Sequence, residues 1–328
     1  MGSTHLKAYR NVSGAQVTAV VSSDEKKLSG DLSGIQGNIG GPGEKMDFSA
    51  LKKYRTVREA LADRDIDAVD ICLPTDQHGP VGLEALRAGK HVLVEKPMAL
   101  DGETADRMVA EARKNGVVLM TGQVLRFIGS YRSAKELIAS GKLGPVRAAI
   151  FRRRCAAPAW SRWLGNAAQS GGGVFDLLIH DIDYCLYIFG KPSGVAAEGY
   201  EEMPRGIDWI TARLHYPGIG AVIVSGGWHH PKAFPFSMEF TIVAEEGTLE
   251  YNSSGTPLTL YDARGEACVL PVVERDFFEA ELEYFVQCAS EHRRPELCPP
   301  EESAAAVKLA KLMVESRSRN GETIRCSF

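Results

Sequence analysis

Along the first 125 residues, short apolar runs rich in β-branched residues alternate with stretches of helical spacing. QVTAVV (16–21), AVDICL (68–73, ended by Pro74), HVLV (91–94) and VVLMT (117–121) predict strands. Residues 57–62, 79–88 and 102–114 predict helices between them, the last closed by Asn115-Gly116. Strand and helix in alternation predict a parallel sheet covered on both faces. From about Gly122 the rhythm changes. A helix over 130–140 and a strand over 146–154 precede three glycines, Gly171 to Gly173, which introduce a helix reaching Phe189-Gly190. Strand candidates then follow without intervening helices, at 210–215, 221–225, 237–244, 248–251 and 258–261. Helices over 277–291 and 301–316 finish the chain. The pattern predicts an α/β region over residues 1–123, followed over 124–328 by an α+β domain with an open, largely antiparallel sheet.

Length agrees with two cores, since 328 residues exceed one typical domain. A composition of 44% hydrophobic and 24% charged residues is that of a globular protein. The net charge of -4 gives no nucleic-acid footprint. Arg152-Arg153-Arg154 is the one basic run, and a solvated sheet face is preferred there over an anion-binding patch. The seven cysteines are scattered without a C-x-x-C pair, which points to reduced thiols in a cytoplasmic protein. No apolar run approaches the ~18 residues of a membrane span, and no signal peptide is visible. Residues 30–43 (GDLSGIQGNIGGPG) match neither the dinucleotide nor the Walker glycine spacing, and read as a surface loop.

Two segments carry candidate chemistry. In AGKHVLVEKP (88–97) a buried strand runs into Glu95, Lys96 and Pro97. Pro97 restricts Lys96 to extended geometry and permits a cis bond. At the carboxyl end of a parallel strand, that lysine stands over the cleft where α/β sheets bind ligands. In GGGVFDLLIHDID (171–183), at 100° per residue, Asp176, His180, Asp183 and Tyr187 form one helical stripe, with Leu178, Ile182, Leu186 and Phe189 opposite. A stripe of this kind is usually solvated. The three glycines argue against that here, because they remove side chains where backbone or ligand approaches the helix start. An Asp/His pair one turn apart and a strand-end lysine are parts of a proton-transfer site.

These strings, with GQVLRF (122–127) and MEFTIVAEEGTLEY (238–251), resemble the Gfo/Idh/MocA oxidoreductases over essentially the whole chain. The resemblance implies an N-terminal Rossmann domain for NAD or NADP and a sugar, inositol or related polyol as substrate. It also implies a catalytic set of Lys96, Asp176 and His180. Leu73, Pro74, Thr75 and His78 would line the nicotinamide side, and Glu95 would face the cofactor ribose. Arg126 and the stretch from Trp160 to Trp163 would close the cleft, with core packing at the domain junction the alternative for the tryptophans. A non-catalytic sensor or regulator on the same scaffold is the competing reading, or an inactive form lacking part of the cofactor site.

The chain departs from the family at its start. Met1-Gly2-Ser3-Thr4-His5 resembles the end of the G-x-G-x-x-G fingerprint, so the first, central strand is absent and its neighbours are left as edges. An internal methionine of a longer protein is the favoured explanation over a damaged product, and weak dinucleotide binding is expected. About twenty residues past Gly2 stand Ser22 and Ser23 rather than an acid, followed by Asp24, Lys26 and Lys27. This leans toward NADP. Neither His180, Asp181 and Asp183 nor His229 and His230 has dependable metal-ligand spacing, so no metal is expected. One face of an open sheet needs covering, which suggests a homodimer or homotetramer.

Overall fold

The computed structural model describes residues 1–35, 41–158 and 163–328. The chain opens on α1 (Gly2–Ala8) and passes through β1 (Ala19–Val21), α2 (Glu25–Leu28), β2 (Lys52–Tyr54) and α3 (Val57–Ala62). β3 (Ala68–Ile71), α4 (Thr75–Arg87), β4 (His91–Val94), α5 (Gly102–Asn115) and β5 (Leu119–Thr121) follow. Local signals set the helix ends. Thr56 and Glu59 form a capping box at α3. Asp101 accepts the Thr104 N–H to start α5, and Gly116, at φ 65°, closes it.

Strands β3, β4 and β5 form a parallel sheet with β4 central, and all four β4 residues are buried. β1 and β2 form a separate parallel pair. Among the described residues no strand joins β1 to β3. The parallel layer is therefore divided at the place where the sequence predicts a missing central strand. Burial without side-chain alternation explains why β4 reads as a continuous apolar run.

The second half contains α6 (Gly129–Ala139), β6 (Val146–Ala156), α7 (Ala167–Ser170), a π-helical turn (Val174–Leu178) and α8 (Ile179–Phe189). β7 (Gly194–Glu202), β8 (Ile207–Tyr216), β9 (Ile219–His230), β10 (Ser237–Ala244), β11 (Gly247–Asn252), β12 (Thr256–Asp262) and β13 (Ala267–Val269) come next. The chain ends with α9 (Phe277–Ser290), α10 (Pro300–Ser318) and β14 (Ile324–Arg325). The nine strands lie in the order β13-β12-β11-β10-β6-β9-β8-β7-β14, antiparallel except for the β6–β9 pair. Ile210, Ala212 and Leu214 of β8 are buried against the helices, while Trp209, Thr211 and Arg213 stand on the opposite, open face. α10 packs on α5, α8 and β7, and α9 packs on α1. The last helices thus return to the first parallel strands and lock the two sheets into one framework.

Three expectations change. The arginine run is not one solvated face: Arg153 is buried against Asp181, while Arg152 and Arg154 pair with Glu239 on the other side. The period of 2 along β6 forces that split. β2 and β7 escape the sequence pattern because KKY is charged and GVAAEGYEE lacks a β-branched run; pairing with β1 and β8 makes them strands. In residues 30–43 the flanks are anchored by Leu32 and Ile35, packed with Met46 and Phe48, and residues 36–40 lie outside the described residues.

Candidate active site

Strand β4 ends by presenting Lys96, whose peptide bond to Pro97 is cis. The Lys96 ammonium donates to the carbonyl oxygen of Asp176 at 2.5 Å and to its carboxylate Oδ1 at 3.2 Å. Asp176 belongs to the π-helical turn, which breaks the even 100° progression assumed from sequence. A widened turn of this kind is often found at functional sites. Gly171 and Gly172, at φ 76° and 79°, make the left-handed backbone that feeds it. His180 follows in the first turn of α8, half-buried, and its Nδ1 has no hydrogen-bond partner among the described residues. Burial, then the positive charges of Lys96 and Arg153, hold its imidazole well below its ordinary range. The His180 imidazole is therefore held neutral. The three residues singled out by sequence converge.

Asp183 of the polar stripe is buried rather than solvated, as is its neighbour Asp181, while Tyr187 is half-buried. Asp181 receives two bonds from Arg153, at 2.8 and 3.1 Å. Asp183 receives two from Arg126, at 2.8 and 2.7 Å. Arg126 also donates to Glu302 at 2.6 Å and to the Leu297 carbonyl at 3.0 Å, and its guanidinium stacks over Tyr187 at 4.5 Å. With no exposed surface, Arg126 does not reach the cleft, contrary to the sequence expectation. Its role is to hold α8 against α10. Both pairs are bidentate, the geometry in which a buried charge is best compensated.

The residues expected on the cofactor side divide into two groups. Leu73 and Pro74 run from β3 into α4, where Pro74 is the N-cap without a side-chain acceptor and Thr75 is buried in the first turn. The ring nitrogens of His78 lie 2.7 Å from the Pro97 carbonyl and 2.9 Å from the Leu73 carbonyl. His78 thereby ties the loop after β3 to the loop after β4, and burial pushes its pKa down. Asp76 Oδ1, buried and without a partner among the described residues, opens on the same helix start. Ser22 and Ser23 follow β1, with the Ser22 hydroxyl accepting the Asp24 N–H at 3.1 Å. Trp163 packs with Leu164, Leu177 and Trp228, so core packing accounts for it, whereas Trp160 lies outside the described residues.

The second group is engaged internally. His5, buried in α1, places Nδ1 2.8 Å from Asp70 and Nε2 3.1 Å from Glu95. Burial lowers its pKa, but the charge of Asp70 and the neighbouring Cys72 raise it more, so His5 is held protonated. Burial pushes the Glu95 carboxyl up, yet the hydrogen bond and charge of His5, with Lys96, bring it down to about 2. Glu95 also accepts the Lys96 N–H at 3.0 Å. Its carboxylate is committed to shaping the strand end. Gly2 opens α1 with the Cys72 side chain 3.5 Å from where a Cβ would lie. Asp70 was detectable as the one charge within AVDICL. Glu281, fully buried beside Glu95 with both oxygens unpartnered among the described residues, carries no sequence signal.

The uncapped start of α4, the orphan Asp76 oxygen and the Lys96 ammonium fit the nicotinamide half of a dinucleotide at these strand ends. Ser22 and Ser23, at the end of β1, fit its ribose half. Removing one partner of the Arg126–Asp183 pair leaves a buried charge uncompensated. Asp183→Ala is expected to cost about 3–5 kcal/mol in urea unfolding. A loss under about 1 kcal/mol, the range of an exposed pair, contradicts the assignment.

A family profile described as "Oxidoreductase family, NAD-binding Rossmann fold" matches residues 1–123, and the GFO/IDH/MocA C-terminal domain matches residues 131–250. A 1,5-anhydro-D-fructose reductase of Ensifer adhaerens is 30% identical over 256 residues, covering 74% of this chain and 75% of the relative. A myo-inositol 2-dehydrogenase of Thermotoga maritima is 34% identical over 147 residues, 45% of this chain and 43% of that protein. A levoglucosan dehydrogenase structure in complex with NADH and L-sorbose superposes with a TM-score of 0.85 at 18% identity, covering 100% of this chain and 96% of that one. That likeness shows the fold. The matches to both halves, and the alignment across three quarters of the reductase, place this chain in the Gfo/Idh/MocA oxidoreductase family, with its NAD-binding Rossmann fold.

Proposed function

We propose that this chain moves a hydride between a nicotinamide and a hydroxyl-bearing carbon of a sugar, inositol or related polyol. The observation that carries the reading is a neutral His180 beside the Lys96–Asp176 contact. A hydroxyl whose carbon loses hydride must also lose its proton. His180 accepts that proton at Nε2, the ring nitrogen left free of the enclosure around Nδ1. Lys96 stabilises the negative charge developing on the oxygen, as a point charge on a rigid strand end. Asp176 orients the ammonium and hydrogen-bonds an adjacent hydroxyl. The bound nicotinamide supplies the hydride acceptor, or the donor in the reverse direction.

Relatives whose names specify inositol and anhydrofructose support the substrate class. Ser22 and Ser23 lack the acid that selects NAD, and Lys26 and Lys27 begin α2 beside them, which favours NADP. Residues 1–123 are assigned to the cofactor and 124–328 to the substrate and to assembly. The open face carrying Trp209, Thr211 and Arg213 suits a second copy in a homodimer or homotetramer. None of the described helices is long and apolar enough to cross a membrane. Together with seven free cysteines, this fits a cytoplasmic enzyme.

A screen of NAD and NADP against polyols and sugars tests the activity. His180→Ala and Lys96→Ala are each expected to lower turnover by ~10²–10⁴-fold. Unchanged turnover in both contradicts the mechanism. Because the His180 pKa is depressed, its base form persists as pH falls through 6.5. In the oxidative direction kcat/KM should therefore hold at pH 6.5 and decline only at lower pH. An acid limb centred at or above 6.5 contradicts His180 as the base.

A further inference from the structure

The geometry points to Asp208 as a positioning residue that sets Asp176 and His180 against Lys96 from the far side of the glycine segment. The inference rests on the proton-transfer reading above, and it starts from a packing fact. Asp208, at the start of β8, is buried, with 2% of its surface exposed. Its Oδ2 accepts the Gly173 N–H at 2.6 Å, immediately before the π-helical turn that carries Asp176. Its Oδ1 is held by the Arg317 guanidinium of α10. Arg317 is itself oriented by Glu201 at 2.6 Å and by the Trp209 carbonyl at 3.3 Å.

Two of the three glycines, Gly172 and Gly173, are explained by the same residue. A Cβ on Gly172 would lie 2.3 Å from Asp208 Oδ2, and one on Gly173 would lie 3.1 Å from the Asp208 carbonyl. No side chain fits at position 172 while Asp208 stays where it is. The carboxylate also places negative charge at the start of a continuous helical segment, where peptide N–H groups leave positive charge exposed. Lys96 grips the Asp176 end of the turn by its carbonyl and carboxylate. The turn is thus clamped from two sides, by Asp208 at its entry and by Lys96 beyond it. Without Asp208 the entry is free to shift, and Asp176 and His180 shift with it.

Two readouts test this, one of them independent of turnover. In a turnover assay on the screened polyol, Asp208→Ala should lower kcat by about 100-fold, the effect of a displacement near 1 Å. The KM for cofactor should stay unchanged. Asp208→Asn, which keeps an acceptor for Gly173 but loses the charge facing Arg317, should fall between Asp208→Ala and the parent chain. Histidine NMR provides the second readout, with the His180 signal assigned by loss in His180→Gln. The His180 titration should move up toward 6.5 in Asp208→Ala as the helix start moves away from Lys96. Arg317→Met repeats both measurements if Asp208→Ala does not fold. A parent kcat and an unmoved His180 titration in folded variants overturn the inference. If the parent chain turns over no polyol at saturating NAD or NADP, the oxidoreductase reading fails on its own. The His180 titration then still decides whether Asp208 positions the helix.

Discussion

The contact between the Lys96 ammonium and the Asp176 backbone and carboxylate is the constraint on which the site depends. It joins the end of β4, a fully buried strand, to a turn that enters the core between α10 and the nine-stranded sheet. One charge therefore fixes the relation between the parallel strands and the helix bearing His180. An ammonium is suited to this because it can donate to two acceptors while remaining partly exposed to a ligand. The cost of holding it at a crowded strand end is met by Glu95, whose low-pKa carboxylate is itself secured by His5.

Around that contact, the α8 segment is fixed by buried ion pairs rather than apolar packing alone. Arg153 and Arg126 approach Asp181 and Asp183 from β6 and from the residues after β5. Each pair is bidentate and removed from water, so it specifies one orientation of the helix even where its net contribution to stability is small. His180 precedes both acids on the same helix and is kept neutral by burial and by the positive charges of Lys96 and Arg153. Of the two arginines that anchor the helix, Arg153 also helps to hold the His180 pKa down.

Much of this was legible in the chain. Strand β4 and helix α3 fall where the apolar pattern puts them, because continuous burial and a capping box leave clear signatures. Lys96, Asp176 and His180 were visible because a strand-end Lys-Pro and a Gly-Gly-Gly-initiated helix are unusual for purely structural segments. Arg126 was misplaced, since no local rule distinguishes an arginine facing a cleft from one buried against an acid 57 residues away. The π-helical turn was invisible for a related reason: 100° periodicity has no term for an inserted residue. Asp208 reads as an ordinary polar residue before a strand, and only tertiary contact gives it Gly173 and Arg317.

The fold brings Lys96, Asp176 and His180 together beside a parallel layer in which, among the described residues, no strand joins β1 to β3. The two features are separable, because the Lys96–Asp176 contact lies at the end of β4 and the division lies between β1 and β3. The central claim is that Lys96 and Asp176 act as one unit, and a double-mutant cycle in kcat/KM tests it most directly. If they do, Lys96→Met combined with Asp176→Asn loses no more activity than the worse single variant, as expected for residues that fail together. Losses that multiply across the two sites would contradict it.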